Sequence, residues 1–339
     1  MIAWLSLGMA LIQSPEPPAA LARFLQQSIG LDAAQLSAME RGEAVVKVID
    51  TRDRRDVALF GIVTADVTRE AYVRRVRDFQ TSLRTATRAR FGIFSNPPTA
   101  ADVAAVTIAE RDVKDMRECR PGDCVVKLPA TDMQRIQQQV NWSASPADLQ
   151  AQIDTYARRR LVEYVTDYRA RGDSAMAVYD DRGTLNVRSS EAFAALLAES
   201  PYVYEHVPSL SRYLSSYPRG VLPDATEIIF WSEDVMPRLR PILSVTHQVV
   251  YTPQEHPTMA VVAAKQIYAN HYFEAALDLT GVVDRRGPPP DGQPGLYLLV
   301  LRRFRFDNMP SGGILNIRGR AVGALRDQLL GDLRRQQGR

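Results

Sequence analysis

The residues best equipped for chemistry cluster in the last third of the chain. His247 lies in the run SVTHQVV, and the stretch MAVVAAKQIYANHYFEAALDL at 259–279 carries Lys265, Tyr268, His271 and Glu274. An imidazole can serve as a general base, and His247, His271 and Glu274 together have the donor types of a metal site. Their spacing argues against joint work. Both runs are rich in β-branched and aromatic residues and read as strands, along which side chains alternate between faces. In one strand over 259–283, Lys265, Ile267, Ala269, His271 and Phe273 share a face, and Gln266, Tyr268, Asn270, Tyr272 and Glu274 share the other. His271 and Glu274, three apart, then point opposite ways. Such a run is too long for one straight strand and calls for a bend or bulge near Ala269–Asn270.

A strand that shows mostly apolar side chains with a few polar ones among them suits the wall of a binding cavity better than a catalytic centre. The candidate cavity residues are Lys265, Ile267, Tyr268, His271 and Phe273, with His247 on the preceding strand and Tyr297 on the last. No catalytic set, metal site or cofactor is assigned. The sequence has no G-x-S-x-G, no G-x-x-x-x-G-K-[ST], no H-E-x-x-H and no C-x2-C pair. Its two cysteines, Cys119 and Cys124, bracket Arg-Pro-Gly-Asp. That is strong turn chemistry, and it predicts a short-loop disulfide.

Several elements must position these residues. Residues 18–41 read as two short helices, the second opened by a capping box of Asp32 and Gln35. Strands at 44–50 and 57–67 form a hairpin. A helix capped by Thr68 runs to about 88, with Tyr72, Val76, Phe79 and Leu83 as its apolar stripe. Its other face carries Arg69, Arg74, Arg75, Arg77, Arg84, Arg88 and Arg90 against Glu70 and Asp78. Residues 99–225 are largely helical. Thr131 and Gln134 read as a capping box, and Ser145-Pro146 starts a long helix ending near Gly172. From 226 four β-rich runs form an antiparallel meander, and an amphipathic helix at about 314–336 closes the chain.

Stripped of 99–225, this order resembles the helix-grip fold of START-type lipid-binding domains and their bacterial relatives. The resemblance spans roughly 40–98 and 226–336 and rests on element order and on the last strands running into SGGILNIRGRAVGALRDQLLGDLRR. It implies an α+β fold with a curved antiparallel sheet packed on a long C-terminal helix, a hydrophobic cavity between them, and binding of a lipid or other hydrophobic molecule. The chain divides accordingly into a signal-like apolar segment (1–17), the first part of the core (18–98), a mainly helical insertion (99–225), and the remaining strands with the last helix (226–339).

Composition is that of an ordinary folded chain, 45% hydrophobic and 24% charged, with a net charge of +3. The start, MIAWLSLGMALIQSPEPPAA, resembles the apolar core of a secretory signal and is too short to span a bilayer. Export to the periplasm or beyond suits a disulfide. Four lysines against 38 arginines make the cationic groups almost all guanidinium. Arg74, Arg75, Arg77 and Arg84 are candidates for docking on an anionic membrane surface. Nucleic acid is not expected as a partner, and the chain reads as a monomer. The leading expectation is non-enzymatic binding or transport of a lipid or other hydrophobic small molecule in the cell envelope. The alternatives are an enzyme with a polar pocket around His247 and His271, and an envelope scaffold using the Tyr-rich stretch at 202–217.

Overall fold

β-Branched and aromatic runs that are apolar on both faces can be buried only if something covers each side of their sheet. In the computed structural model they form one eight-stranded antiparallel sheet, layered on both faces. The described residues are 18–337, apart from 86, 184–185, 236–238, 255, 286–293 and 308–316, and the side chains of 202–204 and 317 are also outside them. The signal-like segment 1–17 lies outside the described residues.

The chain opens with α1 (Ala19–Arg23), a π-helical turn (Phe24–Ser28) and α2 (Ala33–Glu40), and the Asp32–Gln35 capping box is present. The hairpin β1 (Val45–Ile49) and β2 (Asp56–Ala65) leads to α3 (Arg69–Arg77), α4 (Phe79–Ser82) and β3 (Arg88–Ile93). The insertion then supplies α5 (Glu110–Met116), α6 (Ala130–Gln139), α7 (Pro146–Arg171), a small ribbon of β4 (Val178–Tyr179) and β5 (Val187–Arg188), α8 (Ser189–Ala198), α9 (Pro201–His206) and α10 (Pro208–Ser216). The meander is β6 (Thr226–Asp234), β7 (Ile242–Tyr251), β8 (Met259–Ala269), β9 (Phe273–Arg285) and β10 (Gly295–Phe306), and α11 (Ile317–Gln337) follows. Across the sheet the order is β1-β2-β10-β9-β8-β7-β6-β3. With the C-terminal helix on one face, this is a helix-grip-like α+β fold carrying a largely helical insertion.

Three expectations change. The run 259–283 is two strands, not one bent strand, because Asn270–Tyr272 form a tight turn with Tyr272 at φ 63°. The turn is held by the Asn270 side chain, whose Oδ1 accepts the Leu243 amide at 2.8 Å. The arginine-rich helix ends at Arg77, so Arg84 lies in a loop and Arg88 and Arg90 lie on β3, beside Asp234 and Glu233. The Thr131–Gln134 box does not form: α6 starts at Ala130, and Asp132 in its first turn accepts the Tyr156 hydroxyl instead.

Register settles which residues share a face. Val57, Leu59, Val63, Leu298, Val300 and Val282 pack with Tyr72 and Val73 of α3 and with Leu329 and Leu333 of α11. Gly61 lets α11 approach: a Cβ there would lie 2.7 Å from a Leu333 methyl. Farther along this face Arg302 bonds Asp278 and Asp332, each at 2.9 Å. Burial pushes the Asp278 carboxyl up, against the pull of Arg302. On the opposite face, Phe60, Ile62 and Tyr297 meet the N-terminal helices, and Ile229, Val249, Ala263 and Leu277 meet the insertion. The insertion and the N-terminal helices together therefore bury the sheet's second face.

Candidate functional site

The register that sends Val300 and Val282 toward α11 sends Leu299, Leu301, Leu279, Gly281 and Val283 to the other side. There they floor a cavity of about 640 Å³. Phe60 of β2 and Met259 and Val261 of β8 extend the floor. Leu21, Phe24 and Ile29 of the N-terminal helices form one wall, and Val207 and Leu210 at the start of α10 form another. The size lies inside the roughly 300–1,000 Å³ typical of small-molecule sites, and the lining has their usual make-up of bulk apolar contact with a few polar groups.

The polar groups are unevenly spread. Leu279, Leu301 and Phe60 are register neighbours toward the middle of the strands. Thr258 and Asp284 lie at the strand ends, where the Asp284 amide donates to the Thr258 carbonyl at 2.9 Å. His256 precedes them in the β7–β8 loop, and His206 sits edge-on to Phe24 with centroids 5.4 Å apart. Asp284 accepts from Arg69 at 3.3 Å. The site thus sets an apolar floor beside Thr258, His256 and Asp284 at the strand ends, with His206 against Phe24 in the wall. Gly281 creates part of the room: a Cβ built there meets nothing closer than Leu299 Cβ at 3.9 Å.

The sequence candidates do not line this cavity. His247 is fully buried between the Tyr168 hydroxyl, 3.1 Å from Nδ1, and Glu227, 3.2 Å from Nε2. A phenol donates here, because burial keeps the Tyr168 pKa far above its usual range. Nδ1 therefore accepts and Nε2–H donates to the carboxylate. Burial also lowers the His247 pKa, more than Glu227 raises it, so the ring is neutral. The Tyr217 ring packs 4.5 Å from it, so this part of the 202–217 stretch lies against the core. Lys265 is equally buried. Its ammonium pairs with Asp173, donates to the Leu214 carbonyl at 3.0 Å, and lies 4.1 Å from the Phe193 ring centroid.

His271 bonds Asp112 at 2.9 Å, and Arg240 holds the other Asp112 oxygen at 2.7 Å. Glu274 pairs with Arg55 at 3.2 Å. The two histidines thus serve separate networks, and among the described residues no group of three His, Cys, Asp or Glu side chains could hold a metal ion. Ile267 is in the core, Phe273 packs at a tilt against Phe304 and Phe306, and Tyr297 packs with Leu25 and Phe60. Tyr268 lines a second cavity of about 570 Å³ beside α7. Of the arginine candidates, Arg74, Arg77 and Arg84 are exposed, while Arg75 bonds Gln336 at 2.8 Å. Cys119 and Cys124 form a disulfide, and among the described residues no helix is long and apolar enough to cross a membrane.

Sequence reasoning missed the first cavity's own lining, His206, His256, Gly281, Leu299 and Leu301. The available signal was the face parity of GLYLLVLRR on β10. It shows that Leu299 and Leu301 face together, though not what lies over them.

Comparison with known proteins adds little. No family model matches the chain, and no curated protein does. Among solved structures, norcoclaurine synthase from Thalictrum flavum aligns at 14% identity over 38% of this chain and 78% of its own, with a TM-score of 0.16. The same enzyme in complex with dopamine and hydroxybenzaldehyde aligns at 13% identity over 39% and 80%, again with a TM-score of 0.16.

Proposed function

We propose that this chain binds a hydrophobic small molecule non-covalently, as a carrier or sensor in the cell envelope. The observation that carries this reading is the apolar cavity of about 640 Å³ between the sheet, the N-terminal helices and α10. A ligand's chain would lie against Leu279, Leu301 and Phe60, and its polar end would sit near Thr258 and His256. Each methylene transferred from water contributes about 0.8 kcal/mol, so a ten-carbon chain contributes about 8 kcal/mol against an association cost of roughly 4–15 kcal/mol. The site differs in place from the one the helix-grip resemblance implies, since it lies on the face away from α11. Two features support an envelope setting: the Cys119–Cys124 disulfide and the signal-like apolar start. Docking on anionic membrane would use Arg74, Arg77 and Arg84, and exchanging these for glutamate tests it by vesicle co-sedimentation.

Native mass spectrometry of protein from its own organism, with organic extraction of what co-purifies, tests the reading. A reproducible hydrophobic species supports it. An empty protein that also gives no thermal shift with alcohols, acids and sterols would overturn it.

A further inference from the structure

We infer that the cleft along the inner face of α7 is a second binding site, one that takes an aromatic carboxylic acid. It is separate from the apolar cavity and does not depend on it. The cleft has a volume of about 570 Å³ and lies between α7, the segment entering α6, and the β4–β5 ribbon. Residues Ala157, Arg160, Tyr164, Asp167 and Arg171 recur at helical spacing along one side of α7 and line it.

The inner part offers ring faces. Tyr164 and Tyr268 meet at 5.9 Å with a 58° tilt, Tyr156 adds a third ring, and Met116 and Met176 lie among aliphatic side chains such as Ile153, Leu161 and Leu243. The tyrosine hydroxyls are already committed: Tyr164 donates to the Ile267 carbonyl, and Tyr268 to the Lys127 carbonyl at 3.4 Å. Three ring faces and two thioether sulfurs within an otherwise aliphatic lining give a flat ring contacts that an alkyl chain cannot make.

The outer part offers guanidinium donors. Arg171 uses one contact, to Asp167 at 2.9 Å, and Arg188 has Glu191 at 3.5 Å. Both pairs are more than half exposed, so each is weakly held and open to exchange. A guanidinium carries five N–H donors and binds a carboxylate through two of them at once. The deeper Arg160 is engaged by Asp132 and Glu163 and is not counted. Asp132, Asp167 and Asp180 share the lining, and they oppose a doubly charged group such as a phosphate. A single negative charge on an aromatic ring meets both conditions.

The test is calorimetric titration of the full chain with 2-naphthoate, with uncharged naphthalenemethanol and with decanoate. The expected result is one saturable naphthoate site, with the alcohol and the alkyl acid each weaker by about tenfold or more. Exchanging both Arg171→Gln and Arg188→Gln should weaken naphthoate to the level of the alcohol. Ala157→Phe should block the cleft and abolish naphthoate binding while leaving binding of a neutral apolar dye unchanged. Should that variant fold poorly, the arginine pair on the exposed rim decides. Equal affinity for the acid and the alcohol, unchanged naphthoate binding in the double arginine variant, or no naphthoate binding at millimolar concentration would each overturn the inference.

Discussion

His247 and Lys265 are register partners on β7 and β8, yet each bonds a different acid: His247 meets Glu227 on β6, and Lys265 meets Asp173 in the turn after α7. Two basic groups side by side in a dry interior repel if both are charged. Here the imidazole stays neutral and only the ammonium pairs with a carboxylate. This polar seam fixes the insertion to the sheet at one register.

The seam predicts a pH response. The His247 pKa is lowered in the folded chain, mainly by burial. As pH falls past the ordinary imidazole value near 6.5, the unfolded chain takes up a proton that the folded chain refuses, and stability drops. Urea unfolding at pH 8 and at pH 5.5 should show this loss in the wild type. His247→Gln should lose less over the same interval, and equal slopes would refute the assignment.

Lys265 and Asp173 should respond unequally to removal. Lys265→Met leaves Asp173 partly exposed to solvent, because that carboxylate is 26% accessible, and should cost little. Asp173→Ala leaves an ammonium with no access to water and should cost about 3 kcal/mol or more. Chemical denaturation of the two variants checks the ranking.

Gly172 ends α7 at φ 59°, and a Cβ there would sit 1.7 Å from the Tyr217 carbonyl oxygen. Both the left-handed backbone and the backbone contact exclude a side chain. Gly172→Ala should therefore fail to fold or lose at least about 3 kcal/mol. A variant with wild-type melting behaviour would show that this junction is looser than described.

The Cys119–Cys124 disulfide closes a loop of sequence separation 5. Loop-closure entropy for so short a ring gives about 2 kcal/mol. Melting with and without a thiol reductant should differ by that amount, and no difference would mean that the turn is already fixed without the bond.

Much of the fold was legible because local signals agreed with it. Ser145-Pro146 and the apolar period of α7, the Asp32–Gln35 box, the Thr68 cap and the C-R-P-G-D-C turn each act within a few residues. The turn at Asn270–Tyr272 was not legible, because it contains neither glycine nor proline and is held by contacts from Leu243 and Lys127. The short end of the arginine helix was hidden for a similar reason: Asp78 breaks the period at φ −76°, ψ 78° and caps α4 instead. The first cavity was the least legible feature. Its lining comes from residues near 20, 60, 207, 260, 280 and 300, and alternation along a strand tells which residues face together without telling what element covers them. His247 and His271 drew attention by residue type, while the structure commits both to buried hydrogen bonds.

The central claim is that the apolar cavity holds a ligand, and Gly281 offers the most direct test. Gly281→Leu adds a side chain into open cavity space, on a strand whose backbone already suits it. Titration with the neutral fluorescent probe N-phenylnaphthylamine should show one saturable site in the wild type. The variant should fold normally and bind at least about tenfold more weakly. Saturable binding unchanged in Gly281→Leu, or no saturable binding in the wild type, would contradict the account.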